Sequence, residues 1–223
     1  MKAATLRSKV RSRVARVLRR SSWFSAKRDA AWTIARDAAR IIARDTTRIA
    51  VLERHVSPGG VGAEIGVHKG DFAERLLTQL QPTRLHLIDP WYLIGREWNW
   101  GPPDRSTINA LCDILHRFSN ELVSGQVVIN IGWDVEVLAT FPDASFDWVY
   151  LDTTHKFHHT RDELTVLARK VKPDGLITGD DWFLDPSHHH HGVCRAVRQF
   201  VEQEPYELVY ASDDDHQWLI RRA

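Results

Sequence analysis

Two groups of acidic residues each follow an apolar run, and a histidine accompanies one of them. Asp152 ends one run, with His155 three residues later, and the pair Asp180-Asp181 ends another. Carboxylate oxygens are ligands that Mg²⁺ prefers, and a nearby imidazole or carboxylate can take a proton from a reacting hydroxyl. The pattern predicts a metal site at Asp152, Asp180 and Asp181, with Asp152 or His155 as general base. The alternative is that the acidic pair caps a turn without a metal.

A second candidate site surrounds the segment 64–72. Gly66 and Gly70 bracket a turn, and glycine lets a ligand approach the backbone closely. Glu64 lies within an apolar run, so its carboxylate must be hydrogen-bonded or paired. Asp89 ends the next run, 23 residues after Gly66, where a carboxylate suits a ribose diol. The segment is neither G-x-G-x-x-G nor a P-loop, which disfavours a dinucleotide or triphosphate. The alternatives are a turn that needs glycine for packing alone and an ordinary turn aspartate.

Strand and helix patterns alternate from residue 61 onward and would position these residues. Strands are predicted at 61–67, 84–89, 126–131, 146–152 and 175–179, and a closing hairpin at 206–211 and 217–221. Helices are predicted at 71–80, 105–122, 134–139, 158–171 and 192–202. This alternation predicts an α/β fold, a doubly wound and mostly parallel sheet with one antiparallel strand from the hairpin. Ligands of such sheets bind at the carboxyl ends of the strands, where the acidic residues and glycines stand.

The same segments resemble a known family. In order they read E-I-G-V-H-K-G-D-F, L-I-D-P-W, I-G-W-D-V-E-V-L, F-D-W-V-Y-L-D-T-T-H, K-P-D-G-L-I-T-G-D-D-W and G-V-C-R-A-V-R-Q-F. Over residues 59–221 this resembles class I S-adenosylmethionine-dependent methyltransferases, and most closely the macrocin-type sugar O-methyltransferases. The family loop Asp-Gly-x-His-x-Tyr is present here with Thr153 and Phe157 in place of glycine and tyrosine.

The resemblance implies a role for each matching position. Glu64, Gly66 and Gly70 would line the methionine and ribose of the cofactor, and Asp89 would take the ribose hydroxyls. The adenine would lie near Trp91 and near the segment Gly132, Trp133 and Asp134. Asp152 would lie beside the transferred methyl group. In macrocin-type relatives, the residues matching Asp152, Asp180 and Asp181 hold Mg²⁺, which would lower the pKa of the acceptor hydroxyl.

The N-terminal segment lies outside the resemblance and differs in charge from the rest. Residues 1–50 carry a net charge of +11, and the remaining residues carry −10. Helices are predicted at 5–20 and 26–53, with an apolar stripe on the second. That stripe consists of Ile34, Ile41, Ile42, Ile49 and Leu52. We therefore predict a basic helical extension over 1–56 and a methyltransferase domain over 57–223.

The extension is expected to pack on the core or on a second subunit, which makes a homo-oligomer a candidate. Contact with an anionic membrane surface is the less favoured alternative, because charge alone is weak evidence. No motif for specific nucleic-acid binding occurs. The sequence holds two cysteines, so no disulfide framework is expected, and the absence of an evident signal segment favours a cytoplasmic protein.

Aromatic and imidazole side chains are frequent near the predicted strand ends. Four tryptophans on the loops suit stacking on adenine or on a sugar face, with anchoring to the core as the alternative: Trp91, Trp98, Trp100 and Trp182. The run 188–191 consists of four histidines, interpreted as a solvated loop from which one ring reaches the acceptor. The expected function is methyl transfer from S-adenosylmethionine to a hydroxyl of a small molecule such as a sugar or polar metabolite, assisted by Mg²⁺. The alternatives are N-methylation and an inactive cofactor-binding adaptor that acts through the basic extension.

Overall fold

A computed structural model describes residues 43–92 and 106–223 of the chain. The predicted helix 5–20, the first part of the predicted helix 26–53, Trp98 and Trp100 lie outside these residues. The chain divides into two units, Met1–Thr46 and Thr47–Ala223. The sheet and every residue discussed at the candidate site belong to the second unit.

The described residues form seven helices and seven strands. Helix α1 covers described residues 43–55. The remaining elements follow in chain order: β1 Val61–Ile65, α2 Asp71–Leu80, β2 Arg84–Asp89, α3 Ser106–Arg117, α4 Ser119–Ser124, β3 Val127–Ile131, α5 Asp134–Thr140, β4 Phe146–Leu151, α6 Phe157–Lys170, β5 Val171–Gly179, α7 His191–Gln203, β6 Tyr206–Ala211 and β7 Trp218–Arg222. The predicted bounds of α2 and β2 agree with the structure at both ends.

The strands form one mixed sheet in the order β3-β2-β1-β4-β5-β7-β6. The pairs among β1 to β5 are parallel, while β7 runs antiparallel to both β5 and β6. The doubly wound sheet with one antiparallel strand is thereby confirmed. Chain order reverses between β1 and β4, and a crevice for a ligand forms at such a point, beyond the carboxyl ends of the two strands.

Each face of the sheet buries its own apolar cluster. One cluster includes Leu138 of α5, Leu164 of α6 and Val197 of α7. The other includes Leu76 of α2 and Ile114 of α3, together with Ile49 and Leu52 of α1. The apolar stripe predicted for the second N-terminal helix therefore packs on the sheet over its described part.

Two predicted elements differ from the structure by more than two residues at one end. The predicted helix 105–122 is interrupted at Phe118, which leaves helical geometry and is buried against the α2 turn. A side chain at Gly70 would lie 3.0 Å from the Phe118 ring, so this glycine makes room for it. Strand β5 begins at Val171, earlier than predicted, because Val171 pairs with Phe146 before the register shifts at Trp148 and Leu176. The bulge holds Pro173, which has no amide hydrogen to donate to a ladder.

A search of the described helices found none with both the length and the apolar character that a membrane crossing requires.

Candidate active site

The carboxyl ends of β1 and β4 meet at Gly66. Its amide donates to the Ile88 carbonyl at 2.9 Å, and the Asp152 amide donates to the Ile65 carbonyl at 2.8 Å. A Cβ atom at Gly66 would lie 1.9 Å from the Asp152 carbonyl oxygen, and the residue has a φ of +83°. Both the left-handed backbone and the close approach require glycine here. The loop after β1 is therefore set directly against the start of the β4 loop.

Asp89, at the end of β2, holds this loop from the other side. Its Oδ2 accepts the amide hydrogens of Val67 and His68, both at 2.9 Å. Burial raises the pKa of Asp89 to about 6, although both amide bonds oppose the shift. Among the described residues, no hydrogen bond is found to Oδ1. That oxygen is suited to accept ligand hydroxyls, as the predicted ribose contact requires.

Glu64 and Trp91 are both buried beneath the loop. Glu64 is in β1 with Leu87 and Tyr150 as its neighbours on the adjacent strands, and it is 2% exposed. Trp91 is 1% exposed, and its indole Nε1 donates to the His68 carbonyl at 2.8 Å. This indole serves as a loop anchor, because its ring offers almost no surface on which an adenine could stack. Gly70 begins α2 with a φ of +75°.

In the segment after β3, the side chain of Asp134 makes its contacts within the protein. Asp134 begins α5, and its Oδ1 accepts the Val135 amide at 2.6 Å. Its Oδ2 lies 2.7 Å from His159 Nε2, and Glu163 Oε1 lies 3.4 Å from the same nitrogen. Both oxygens of the predicted adenine residue Asp134 therefore have partners within the protein.

His159 and Glu163 were not among the predicted site residues. Burial lowers the pKa of His159, but its hydrogen bond to Asp134 and the nearby carboxylate of Glu163 raise it to about 10. Burial raises the pKa of Glu163. The i, i+4 spacing of the two residues on a helix that starts at a strand end is the signal that could have found the pair.

The other two residues of that segment remain near the strand end. Gly132 leaves no room for a side chain, since a Cβ atom there would lie 2.7 Å from Val137 Cγ2. The Trp133 ring is partly exposed and lies edge-on to His159, with 6.2 Å between ring centroids. Of the four residues predicted near adenine, Trp133 is the one that presents an accessible ring.

The four residues predicted for the acceptor side are brought together. One carboxylate oxygen each from Asp152, Asp180 and Asp181 lies within 4.8 Å of the others. His155 Nε2 lies 3.1 Å from Asp152 Oδ1 and 2.8 Å from Asp181 Oδ2. His155 and Asp181 have φ values of +60° and +64°. Strained backbone at non-glycine residues is concentrated at functional sites, where the surrounding structure maintains it.

The ionisation of this cluster follows from its contacts. Burial lowers the pKa of His155, but its bonds to Asp152 and Asp181 outweigh that effect and raise it to about 9. Burial raises the pKa of Asp181, and its bonds to His155 and His190 more than compensate and lower it. Near neutral pH the cluster therefore contains a protonated His155 among carboxylates. His190 Nδ1 lies 2.8 Å from Asp181 Oδ1, so one ring of the four-histidine run does reach the cluster.

Arg48 of α1 is part of the cluster and was not predicted. Its Nη2 donates to Asp152 Oδ2 and also to Asp180 Oδ2, and the side chain is 3% exposed. The sequence contained a signal for it. Arg48 precedes Ile49 by one residue and Leu52 by four, which places it on the buried face of the helix. A cation on an apolar stripe requires a buried anionic partner.

Asp180 and Asp152 thus accept hydrogen bonds from several sides. The other oxygen of Asp180, Oδ1, accepts from Gln217 Nε2, and Tyr150 donates its hydroxyl to Gln217 Oε1 at 2.8 Å. Asp152 places its second oxygen against His155, and Asp181 has a histidine on each oxygen.

A divalent ion does not fit the three carboxylates in this arrangement. A Mg²⁺ ion needs unshared carboxylate oxygens at about 2.1 Å in octahedral geometry. Here Arg48 bridges two of the carboxylates, and His155 and His190 face the third. The predicted metal site is assembled, but Arg48 and His155 already contact its carboxylates from within the protein.

Known proteins resemble the chain in family and in fold. A family model described as a methyltransferase domain matches residues 63–182, more than half of the chain. No curated protein matches the chain.

Among solved structures, PH0851 superposes with a TM-score of 0.57 at 13% identity, covering 79% of this chain and 45% of that one. The chain thus spans less than half of that protein. The Burkholderia thailandensis 1,6-didemethyltoxoflavin-N1-methyltransferase, with bound 1,6-didemethyltoxoflavin and S-adenosylhomocysteine, has a TM-score of 0.56 at 14% identity, covering 85% of this chain and 82% of that one. The S-adenosylhomocysteine-bound methyltransferase PaMTH1 of Podospora anserina has a TM-score of 0.55 at 15% identity, covering 73% and 71%.

Proposed function

Because the chain belongs to the methyltransferase-domain family, we propose that it transfers a methyl group from S-adenosylmethionine to a hydroxyl oxygen of a small polar molecule. The observation that carries the proposal is that two different strand-end sites lie at the same carboxyl edge of the parallel sheet. Asp89 offers a carboxylate oxygen on one side, and the Asp152–His155 pair stands on the other. The first suits a ribose diol, and the second suits removal of a proton.

The cofactor assignment is supported by the loop after β1. Gly66 lets the turn after β1 pass directly against the β4 loop, and the Val67 and His68 amides fix the carboxylate of Asp89. Two proteins with this fold, from Burkholderia thailandensis and Podospora anserina, contain S-adenosylhomocysteine in their solved structures.

When bound, S-adenosylmethionine would supply a methyl group carried on a sulfonium sulfur. An acceptor oxygen would attack the methyl carbon in line with the carbon–sulfur bond, and that bond would break. Asp89 would hold the ribose hydroxyls through Oδ1. Neutral His155 would keep its Nε2 hydrogen toward Asp152 and Asp181 and would receive the proton of the acceptor hydroxyl at Nδ1. The free protein holds His155 protonated, because its pKa is raised to about 9. A cationic ligand beside it disfavours that charged form and would lower the pKa toward the working range.

The acceptor class follows from the walls of the crevice. The acceptor side presents carboxylates and imidazoles, and both are suited to hydrogen bonds with a polyhydroxylated molecule. A sugar or similar polar metabolite is therefore proposed, as in the macrocin-type enzymes that the sequence resembles. The assembled Asp152–His155 pair supports an active enzyme over a cofactor-binding adaptor.

The test uses S-adenosylmethionine with an isotopic label in its methyl group. The full chain is incubated with a panel of sugars and polyols and with amines of matched size, and products are read by mass spectrometry. Label on oxygen is the expected result. Label on amines alone would move the proposal to N-methylation, and binding of S-adenosylmethionine without turnover on any acceptor would favour the adaptor.

The basic N-terminal residues are proposed to mediate self-association. The motive is their charge, since residues 1–50 carry +11 and the remainder −10. Light scattering should give an oligomer mass for the full chain and a monomer mass for a chain that lacks residues 1–42, and high salt should reduce the oligomer. Monomer masses for both chains would reject this role. Binding of both chains to anionic vesicles tests the membrane alternative in the same preparation.

A further inference from the structure

Three carboxylates within one small volume need a cation, since like charges raise each other's pKa. In this chain Arg48 is the cation that bridges two of them. We propose that the Arg48 guanidinium permanently occupies the position of a divalent ion, so that the site excludes Mg²⁺ and works without it. Arg48 is then a positioning residue that keeps Asp152 and Asp180 ionised and in place.

The position of the guanidinium carries this inference. A single nitrogen, Nη2, contacts Oδ2 of Asp152 and Oδ2 of Asp180. An ion ligated by the same two oxygens would have to stand where that nitrogen stands, because both would be held between the same two atoms. Occupation by the guanidinium and by a divalent ion is therefore mutually exclusive.

The surroundings make Arg48 a fixed part of the site. Its guanidinium carbon lies 5.1 Å from the centre of the Phe72 ring and 5.4 Å from that of Tyr150, within cation–π range. The next residue, Ile49, and Leu52 are buried in the core cluster of that sheet face. The helix therefore cannot withdraw Arg48 without uncovering apolar surface.

The charges agree with this arrangement. Burial lowers the pKa of Arg48, but Tyr150, Asp152 and Asp180 together raise it well above its ordinary value. Addition of a divalent ion would have to expel Arg48 from its buried position between Asp152 and Asp180, and an unpaired buried charge is strongly unfavourable.

One consequence concerns the N-terminal segment. In the sequence, Arg48 precedes residues 63–182, the segment that matches the family model. The end of the extension that the sequence assigned to 1–56 would thus complete the acceptor side, and the family-matched segment would be incomplete without it.

The experiment measures metal binding directly, so it needs no acceptor and remains interpretable if the proposed reaction is wrong. Isothermal titration with Mg²⁺, and with Mn²⁺ as a paramagnetic probe, is applied to the wild type and to Arg48→Ala and Arg48→Met. Arg54→Ala, at an exposed position of the same helix, is the matched control. Circular dichroism and the melting temperature establish that each variant is folded.

The wild type and Arg54→Ala should bind neither ion below millimolar concentration. Arg48→Ala and Arg48→Met should gain a site at least tenfold tighter, and adding Asp180→Asn should remove it. Micromolar binding of either ion by the wild type, lost in Asp180→Asn, would overturn the proposal. The same holds if folded Arg48 variants gain no affinity. If either variant unfolds, the wild-type titration still decides.

Once an acceptor is identified, measurements of turnover should agree with the metal titrations. Wild-type turnover should be unchanged in EDTA, whereas Arg48→Ala should lose turnover and recover part of it when Mg²⁺ is added. Recovery by Mg²⁺ distinguishes a cation role from a merely structural one. A wild type that stops in EDTA and restarts with Mg²⁺ would contradict the inference.

Discussion

The two sides of the crevice are built in different ways. On the cofactor side, backbone conformation predominates: Gly66 takes a left-handed turn, and two amides hold Asp89. On the acceptor side, side chains predominate: Arg48, His155 and His190 contact three carboxylates. A site made of backbone depends on a few turn residues close together in the chain. A site made of ion pairs depends on residues far apart, such as Arg48 and Asp152, which are 104 positions apart.

The comparison predicts that changes on the acceptor side impair turnover and leave cofactor binding intact. His155→Gln should lower kcat by about 10²- to 10⁴-fold, the usual contribution of a general base. The affinity for S-adenosylhomocysteine should hardly change. His158→Gln, three residues further and exposed, is the matched control. An equal loss in both variants would show that the effect is structural.

The pH dependence of the reaction also tests whether His155 is the general base. A base works only when deprotonated, and the pKa of His155 is raised to about 9. The wild-type kcat/KM for S-adenosylmethionine, which reports the cofactor-free protein, should therefore rise from pH 6 toward pH 9 and then level off. The rise should be absent from residual turnover of His155→Gln. A flat wild-type profile would assign proton removal to Asp152.

On the cofactor side, the largest effect should come from the backbone. Gly66→Ala should reduce the free energy of unfolding by about 3 kcal/mol, because the added Cβ atom would meet the Asp152 carbonyl. Gly59→Ala is the matched control, since Gly59 also has positive φ but nothing within 4 Å of its Cβ position. That variant should lose about 1 kcal/mol through backbone strain alone. Urea unfolding measures both, and equal losses would rule out the close approach as the cause.

A smaller effect is expected from Asp89, the carboxylate that we propose binds the ribose. Asp89→Asn should weaken S-adenosylhomocysteine binding by about 1–3 kcal/mol, since it removes a charged hydrogen-bond acceptor. Burial raises the pKa of Asp89 to about 6, so wild-type affinity should fall as the pH drops below 6 and the carboxylate becomes protonated. The variant should lack this dependence. Calorimetry from pH 5 to pH 8 checks both statements, and a variant that binds like the wild type would remove Asp89 from the cofactor site.

The smallest effect should come from the outer end of the acceptor-side network. Tyr150→Phe removes the hydroxyl that donates to Gln217 at 2.8 Å. It should lower the free energy of unfolding by about 1 kcal/mol, the typical net value of one hydrogen bond. Cofactor affinity should be unchanged. A large loss of affinity instead would mean that the two sides of the crevice are coupled.

The same contrast explains what the sequence could predict. The bounds of α2 and β2 were predictable, since apolar periodicity and flanking glycine or proline mark them locally. The meeting of Asp152 and Asp180 was predictable too, because residues at the carboxyl ends of adjacent parallel strands must be neighbours.

The contact partners of the predicted residues were harder to predict from the sequence. Asp134 was predicted from its place after β3, but its bond to His159 depends on how α5 and α6 pack. Trp91 fits both a stacking surface and a loop anchor by sequence, and the choice depends on whether its indole N–H finds a buried carbonyl. A prediction of the Arg48 contacts would have required both the helical spacing of its segment and the position of α1 on the sheet.

The strand ends around Gly66 and Asp89 are proposed to bind S-adenosylmethionine. Calorimetric titration of the full chain with S-adenosylhomocysteine in EDTA tests this proposal most directly, with NAD and ATP as competitors of other cofactor classes. A single site with micromolar affinity, about −8 kcal/mol, is predicted for S-adenosylhomocysteine, with no heat from NAD or ATP. Binding of NAD or ATP in the absence of any binding of S-adenosylhomocysteine would contradict the account.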